Sequence, residues 1–94
     1  MSISMNQIPL INPEVASKLI DNEVIIVNPQ KAKVLITNEV GAAIWELIDG
    51  KRNISTILNT IIENFYIDRK TAKIDLLNFL GDLLSKGVIL FHNE

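Results

Sequence analysis

The hydrophobic and polar positions along this chain follow two periods in turn. Up to residue 37 the apolar residues stand in short, β-branched runs parted by turn residues. From residue 38 they recur at every third or fourth position. Glu-Val-Ile-Ile-Val over Glu23 to Val27 and Lys-Val-Leu-Ile-Thr over Lys33 to Thr37 predict strands, and Ala16 to Ile20 predicts a weaker one before them. Asp21-Asn22 separates the first pair, because both side chains bond nearby backbone amides. Asn28-Pro29 separates the second, because proline pre-sets φ for a turn. Three short strands with tight connections predict an antiparallel meander. In its last strand Val34 and Ile36 point to one face, and Lys33, Leu35 and Thr37 to the other.

Asn38 changes the period. It suits the cap of a helix, and Glu39 follows at the positive end of the helix dipole. Val40, Ala43, Ile44, Leu47 and Ile48 share one helical face, and Gly50 is expected to end that helix. Asn53 is placed to cap a second helix with Ile54, Ile57, Leu58, Ile61, Ile62 and Phe65 on its apolar face. Asp68 is placed to cap a third, with Leu76, Leu80, Leu83 and Leu84 toward the core and Gly87 as its stop. Val88 to Phe91 predicts a small returning strand or wing. At the other end, Met1 to Pro13 holds Pro9 and Pro13 among polar residues and reads as a flexible or extended arm. The fold class expected is α+β, a three-stranded antiparallel sheet packed on three helices, forming one domain over residues 1–94.

Composition narrows the function. At 48% apolar, a chain of 94 residues has enough to bury one core. It has no cysteine, so disulfides and thiolate metal sites are excluded. Nine basic against eleven acidic residues lack the electrostatic footprint of a nucleic-acid binder. The first ten residues lack the pattern of a signal peptide, and no run approaches a membrane span, so a cytoplasmic protein without a membrane partner is expected. His92 is the one histidine, in the tail, and supplies at most one metal ligand. Asp49, Asp68 and Asp82 are explained by turns, caps or a wet helix face. The four glycines stand singly, with no phosphate loop. Neither catalytic chemistry nor a cofactor is expected.

Two features point to binding. The last strand of a three-strand meander is an edge, whose free N–H and C=O groups can take up an extended peptide. The third helix carries a second apolar line, Ile74, Leu77, Gly81 and Leu84, beside its core line. That width asks for a second neighbour, either ordinary core or a partner in a groove. Gly81 gives up helix stability and would let a backbone approach. Lys31 and Lys33, with Lys70 and Lys73 on the helix, either discourage aggregation or steer an acidic peptide. Asp75, on the flank of the apolar face, is expected to have a structural role.

The segment Asn38, Ala42-Ala43-Ile44-Trp45-Glu46-Leu47 and Asp49-Gly50 resembles the "LN-x-x-A-x-x-I-W-x-L-x-D-G" stretch of the PqqD-like family. These are the recognition elements of ribosomal peptide natural-product biosynthesis. Asp75-Leu76, Phe79-Leu80, Leu83 and Gly87-Val88 resemble that family's "D-V-x-x-F-L-x-x-L-x-x-x-G-L" third helix. The resemblance covers Ala16 to Leu90. The resemblance implies a winged-helix-like fold. It also implies binding of the leader of a precursor peptide as an added strand between the third strand and third helix, for a modifying enzyme that is often a radical-SAM protein. Carried onto this chain, the groove would be Lys33, Val34, Leu35, Ile36 and Thr37 on one side and Ile74, Leu77, Asn78 and Gly81 on the other. The family's Leu-Asn is Thr37-Asn38 here, and the arginine- and tryptophan-rich strand of the pyrroloquinoline-quinone members is absent. Membership in the broad family is therefore expected rather than a role in that one cofactor's synthesis. Two other readings stand beside it: a winged-helix DNA-binding regulator, and a structural subunit in which a second copy, as in a homodimer, covers the same edge.

Overall fold

Val24, Ile26 and Asn28 are buried, whereas Glu23, Ile25 and Val27 between them are not, and this alternation seats the strand Glu23–Asn28 with one face on the helices. The structure, a computed structural model, describes residues 3–92. In chain order the elements are β1 (Pro9–Ile11), β2 (Ala16–Ile20), β3 (Glu23–Asn28), β4 (Lys33–Thr37), α1 (Glu39–Leu47), α2 (Ile54–Phe65), α3 (Arg69–Ser85) and β5 (Ile89–Phe91). Strands β2, β3 and β4 form the expected antiparallel meander with β3 in the centre. Its register pairs Lys18 with Ile25 and Ile25 with Ile36, and likewise Ala16 with Val27 and Val27 with Val34. Asp21, in the first turn, has φ +55, a left-handed conformation that aspartate tolerates better than most residues.

All three helices start at the caps read from the sequence. Asn38 Oδ1 accepts from Gly41 N, Asn53 Oδ1 from Thr56 N and Asp68 Oδ2 from Thr71 N, each at 2.9 Å. The end of α1 differs from expectation. The helix stops at Leu47, with Ile48 already extended, and Gly50 (φ +78) lies in the turn beyond it. That turn is set by Asp49 Oδ1, which accepts from the amides of Lys51 and Arg52 at 2.9 Å, a tighter constraint than the glycine. Gly87 does end α3, at φ +72, with its N–H on Leu84 O and the next amide, of Val88, on Leu83 O.

The core is one cluster in which Val24 and Ile26 meet Trp45, Ile57, Leu58, Leu76, Leu80 and Leu83. Trp45 also donates from Nε1 to Ser17 Oγ at 3.2 Å, joining α1 to β2. The N-terminal arm, expected to be flexible or extended, is not free. Pro9–Ile11 pairs antiparallel with Ile89–Phe91, and Ile3 and Met5 pack against the core. Its carbonyls serve α2: Ser55 N donates to Met5 O and Ile54 N to Gln7 O, both at 3.0 Å, satisfying amides that a helix start leaves without partners. Among the described residues no helix is long and apolar enough to cross a membrane.

Candidate functional site

Strand β4 has one neighbour, β3, so its outer edge is unpaired among the described residues. Leu35 is half-buried against the core. Thr37 is buried, and its hydroxyl accepts from Val24 N at 3.2 Å, so this side chain is already engaged and only its backbone faces the edge. Val34 and Ile36 lie on the opposite face, 61% and 62% exposed. Lys33 is exposed at the start of the strand.

Helix α3 runs beside this edge and touches the chain near both ends of β4. At one end the Phe79 ring reaches Gly41, where a Cβ would lie 3.4 Å from Phe79 Cζ and 2.9 Å from Thr37 Cβ. At the other, Asn28 Nδ2 donates to Lys86 O at 3.0 Å and to Gly87 O at 3.2 Å, and the Lys31 stem packs beside Gly87. Phe79 and Lys86 are seven residues apart and therefore share a helical face. With Phe79 at the strand's C-terminal end and Lys86 at its N-terminal end, α3 is antiparallel to β4. Between these two anchors α3 and β4 do not pack closely, and the open interval between them is the candidate trough. A cavity of about 250 Å³ lies between the starts of α1 and α3, with Phe79 in its wall. Val40, Ile44, Ile67, Leu76 and Phe79 give it apolar walls, and Asn38 and Asp75 are its polar members. Asp75 is exposed there, and the structural bond expected of it is not among the hydrogen bonds of the described residues.

The residues named on α3 from the sequence are only partly brought to β4. Ile74, Leu77 and Gly81 lie roughly 140–160° around the helix from Phe79, at about 100° per residue. Gly81 and Leu84 instead adjoin Ile3 of the arm, and a Cβ on Gly81 would meet nothing within 4 Å, so no backbone uses that freedom. Ile74 is 51% exposed. The chain's own N-terminus thus borders only the C-terminal end of the second stripe. Asn78, nearer to the flank of Asp75 and Asp82, is the one of the four turned toward the strand side. Lys31 borders the trough, Lys73 lies about 20° further around the helix from Phe79 than Asn78 does, on the opposite flank, and Lys70 is on the far side of α3 from Phe79. Phe79, Lys86 and Asn28 frame the trough but were not singled out for it. The signal for Phe79 was present in the third-helix motif, though spacing alone could not give its direction.

A three-stranded sheet on three helices, with a free edge strand flanked by the last helix, defines a small α+β domain of winged-helix-like build. The profile of the family described as Coenzyme PQQ synthesis protein D (PqqD) matches residues 23–89, and the chain belongs to that family. Among solved structures it is similar to TbiB1 in complex with the TbiA(beta) leader peptide. The identity is 28% and the TM-score 0.80, covering 90% of this chain and 99% of that one. It shares its fold with a lasso peptide synthetase B1 complexed with the leader peptide, at 15% identity and TM-score 0.76, covering 87% and 96% of the two chains. No curated protein matches.

Proposed function

We propose that this protein is a non-catalytic adaptor that holds the leader of a ribosomally made precursor peptide as an extra antiparallel strand on β4 and presents it to a modifying enzyme, such as a radical-SAM protein, in the cytoplasm. The observation that carries this reading is the unpaired edge of β4 facing a trough that α3 closes only at its ends. The backbone of Lys33 to Thr37 supplies the ladder, and alternate peptide side chains turn into the trough beside Leu35, Asn78, Phe79 and Lys86. Lys31 and Lys33, which make no ion pair among the described residues, attract acidic residues flanking the bound segment. The leader peptide bound by TbiB1 supports the ligand class. A DNA-binding role is disfavoured, since the strand-side flank of α3 carries Asp75 and Asp82.

The test is a titration of isotope-labelled protein with the leader segment of the precursor peptide encoded beside its gene. Amides of residues 33–37 and of Phe79 to Lys86 are expected to shift together. A leader that moves neither set removes the reading.

A further inference from the structure

The outer face of the sheet is built in two rows that cross all three strands. One runs Lys18, Ile25, Ile36 and the other Ala16, Val27, Val34. Both become more apolar toward β4, and both end on its unpaired side in a β-branched residue more than half exposed. Edge strands normally carry the reverse arrangement, with charge or small size outward to discourage pairing. Strand β2, the other edge, sets Lys18 between Ala16 and Ile20 on this face, whereas β4 has no charge between Val34 and Ile36 there. Among the described residues no helix covers that face, because all three pack on the side of Val24 and Ile26.

A strand added to β4 lengthens each row by one residue. Its side chains alternate between the trough and the outer face, so those opposite Val34 and Ile36 are held at cross-strand distance from them. We propose that Val34 and Ile36 read these outward side chains, so that the protein selects a peptide segment apolar at two alternate positions on its solvent face as well as on its trough face. The bound segment then has the composition of a fully buried strand, a near-continuous apolar run, instead of alternating apolar and polar residues. The occupant is the peptide and not a second copy. Two exposed branched side chains present on the order of 200 Å², against roughly 800 Å² per partner in a stable interface. This inference rests on β4 being the peptide's edge.

The experiment uses the full chain and 12-residue peptides selected on it from a random displayed library. Shifts of the amides at 33–37 and intermolecular contacts by NMR give the site and register. Affinities are then measured for peptides with serine at the two outward positions and for the double variant V34T/I36T, which keeps branched, strand-compatible side chains. Each pair contributes on the order of 0.2–1 kcal/mol, so losing both weakens binding by about two-fold to about thirty-fold. The serine peptides and the variant are expected to lose it together and not additively. Peptides that pair with β4 yet bind equally well after either change overturn the inference and leave the edge reading standing. Selected peptides that leave residues 33–37 unmoved remove both. A dimeric mass by light scattering that falls to the monomer in V34T/I36T assigns the rows to a second copy and also overturns the inference.

Discussion

Asn28 Nδ2 donates to the carbonyl of Lys86 at 3.0 Å, across 58 residues of chain, and so fixes the distance between the end of the central strand and the end of α3. The side chain is 1% exposed, and its Oδ1 also accepts from Gln30 N at 3.2 Å, which shapes the turn into β4. Gly87 O keeps a second donor in Asn12 Nδ2 if Asn28 is removed, but the carbonyl of Lys86 does not have one among these contacts. Asn28→Ala is therefore expected to cost about 1–3 kcal/mol, the usual penalty for a buried polar group left unpaired. A lower urea midpoint at unchanged slope checks this. Peptide affinity, measured where the variant is still folded, is expected to fall as well, because one wall of the trough loses its tether.

Two glycines give opposite predictions. At Gly81 a methyl group enters open space in the middle of α3, so Gly81→Ala is expected to stabilise the fold by about 0.5–1 kcal/mol. Since Gly81 faces the arm and not β4, peptide affinity should stay within about two-fold. A marked loss of affinity would place the peptide on the other flank of α3. At Gly41 the added Cβ comes within 2.9 Å of Thr37 Cβ, where β4 turns into α1. Even after the gain in helix propensity, Gly41→Ala should cost about 1–2 kcal/mol of stability. It should also narrow the adjoining cavity, which a lower affinity would register.

Acid should loosen α3 from its start. The amide of Thr71, followed by that residue's hydroxyl, holds the Asp68 carboxyl below the ordinary aspartate value. The amides of Arg52 and Lys51 do the same for Asp49. A folded-state pKa below the unfolded one means that the carboxylate contributes its stability above the unfolded value, near 4, and loses it as pH falls through the lower folded value. Thermal midpoints are therefore expected to be flat from pH 7 to about pH 5 and to fall below about pH 4. Asp68→Asn keeps a capping oxygen without the titration, so its midpoint should depend less steeply on acid than that of the parent.

Local chemistry was legible in the sequence. The caps Asn38, Asn53 and Asp68, and the alternation through Lys33 to Thr37, each depend on contacts within a few residues. What spacing could not give was direction. The period of α3 shows that two stripes are apolar, but not that Ile3 would lie by Gly81 and Leu84 while the Phe79 ring reaches Gly41. That assignment depends on an arm nearly eighty residues away in sequence, whose own composition reads as loop. Gly50 was a smaller case of the same kind. Its neighbour Asp49 sets the turn, and the helix ends before either residue.

Pairing Pro9–Ile11 with Ile89–Phe91 brings the first and last strands side by side, next to the α1–α2 loop, where His92 Nε2 meets Gly50 O at 3.1 Å. The chain entering β1 at Ile8 and leaving β5 at His92 passes through one place, where His92 N donates to Ile8 O at 3.0 Å. The unit is therefore built like a cassette. It is suited to being spliced into a loop of a larger enzyme or circularly permuted through a short linker, with the strand-accepting edge still pointing outward.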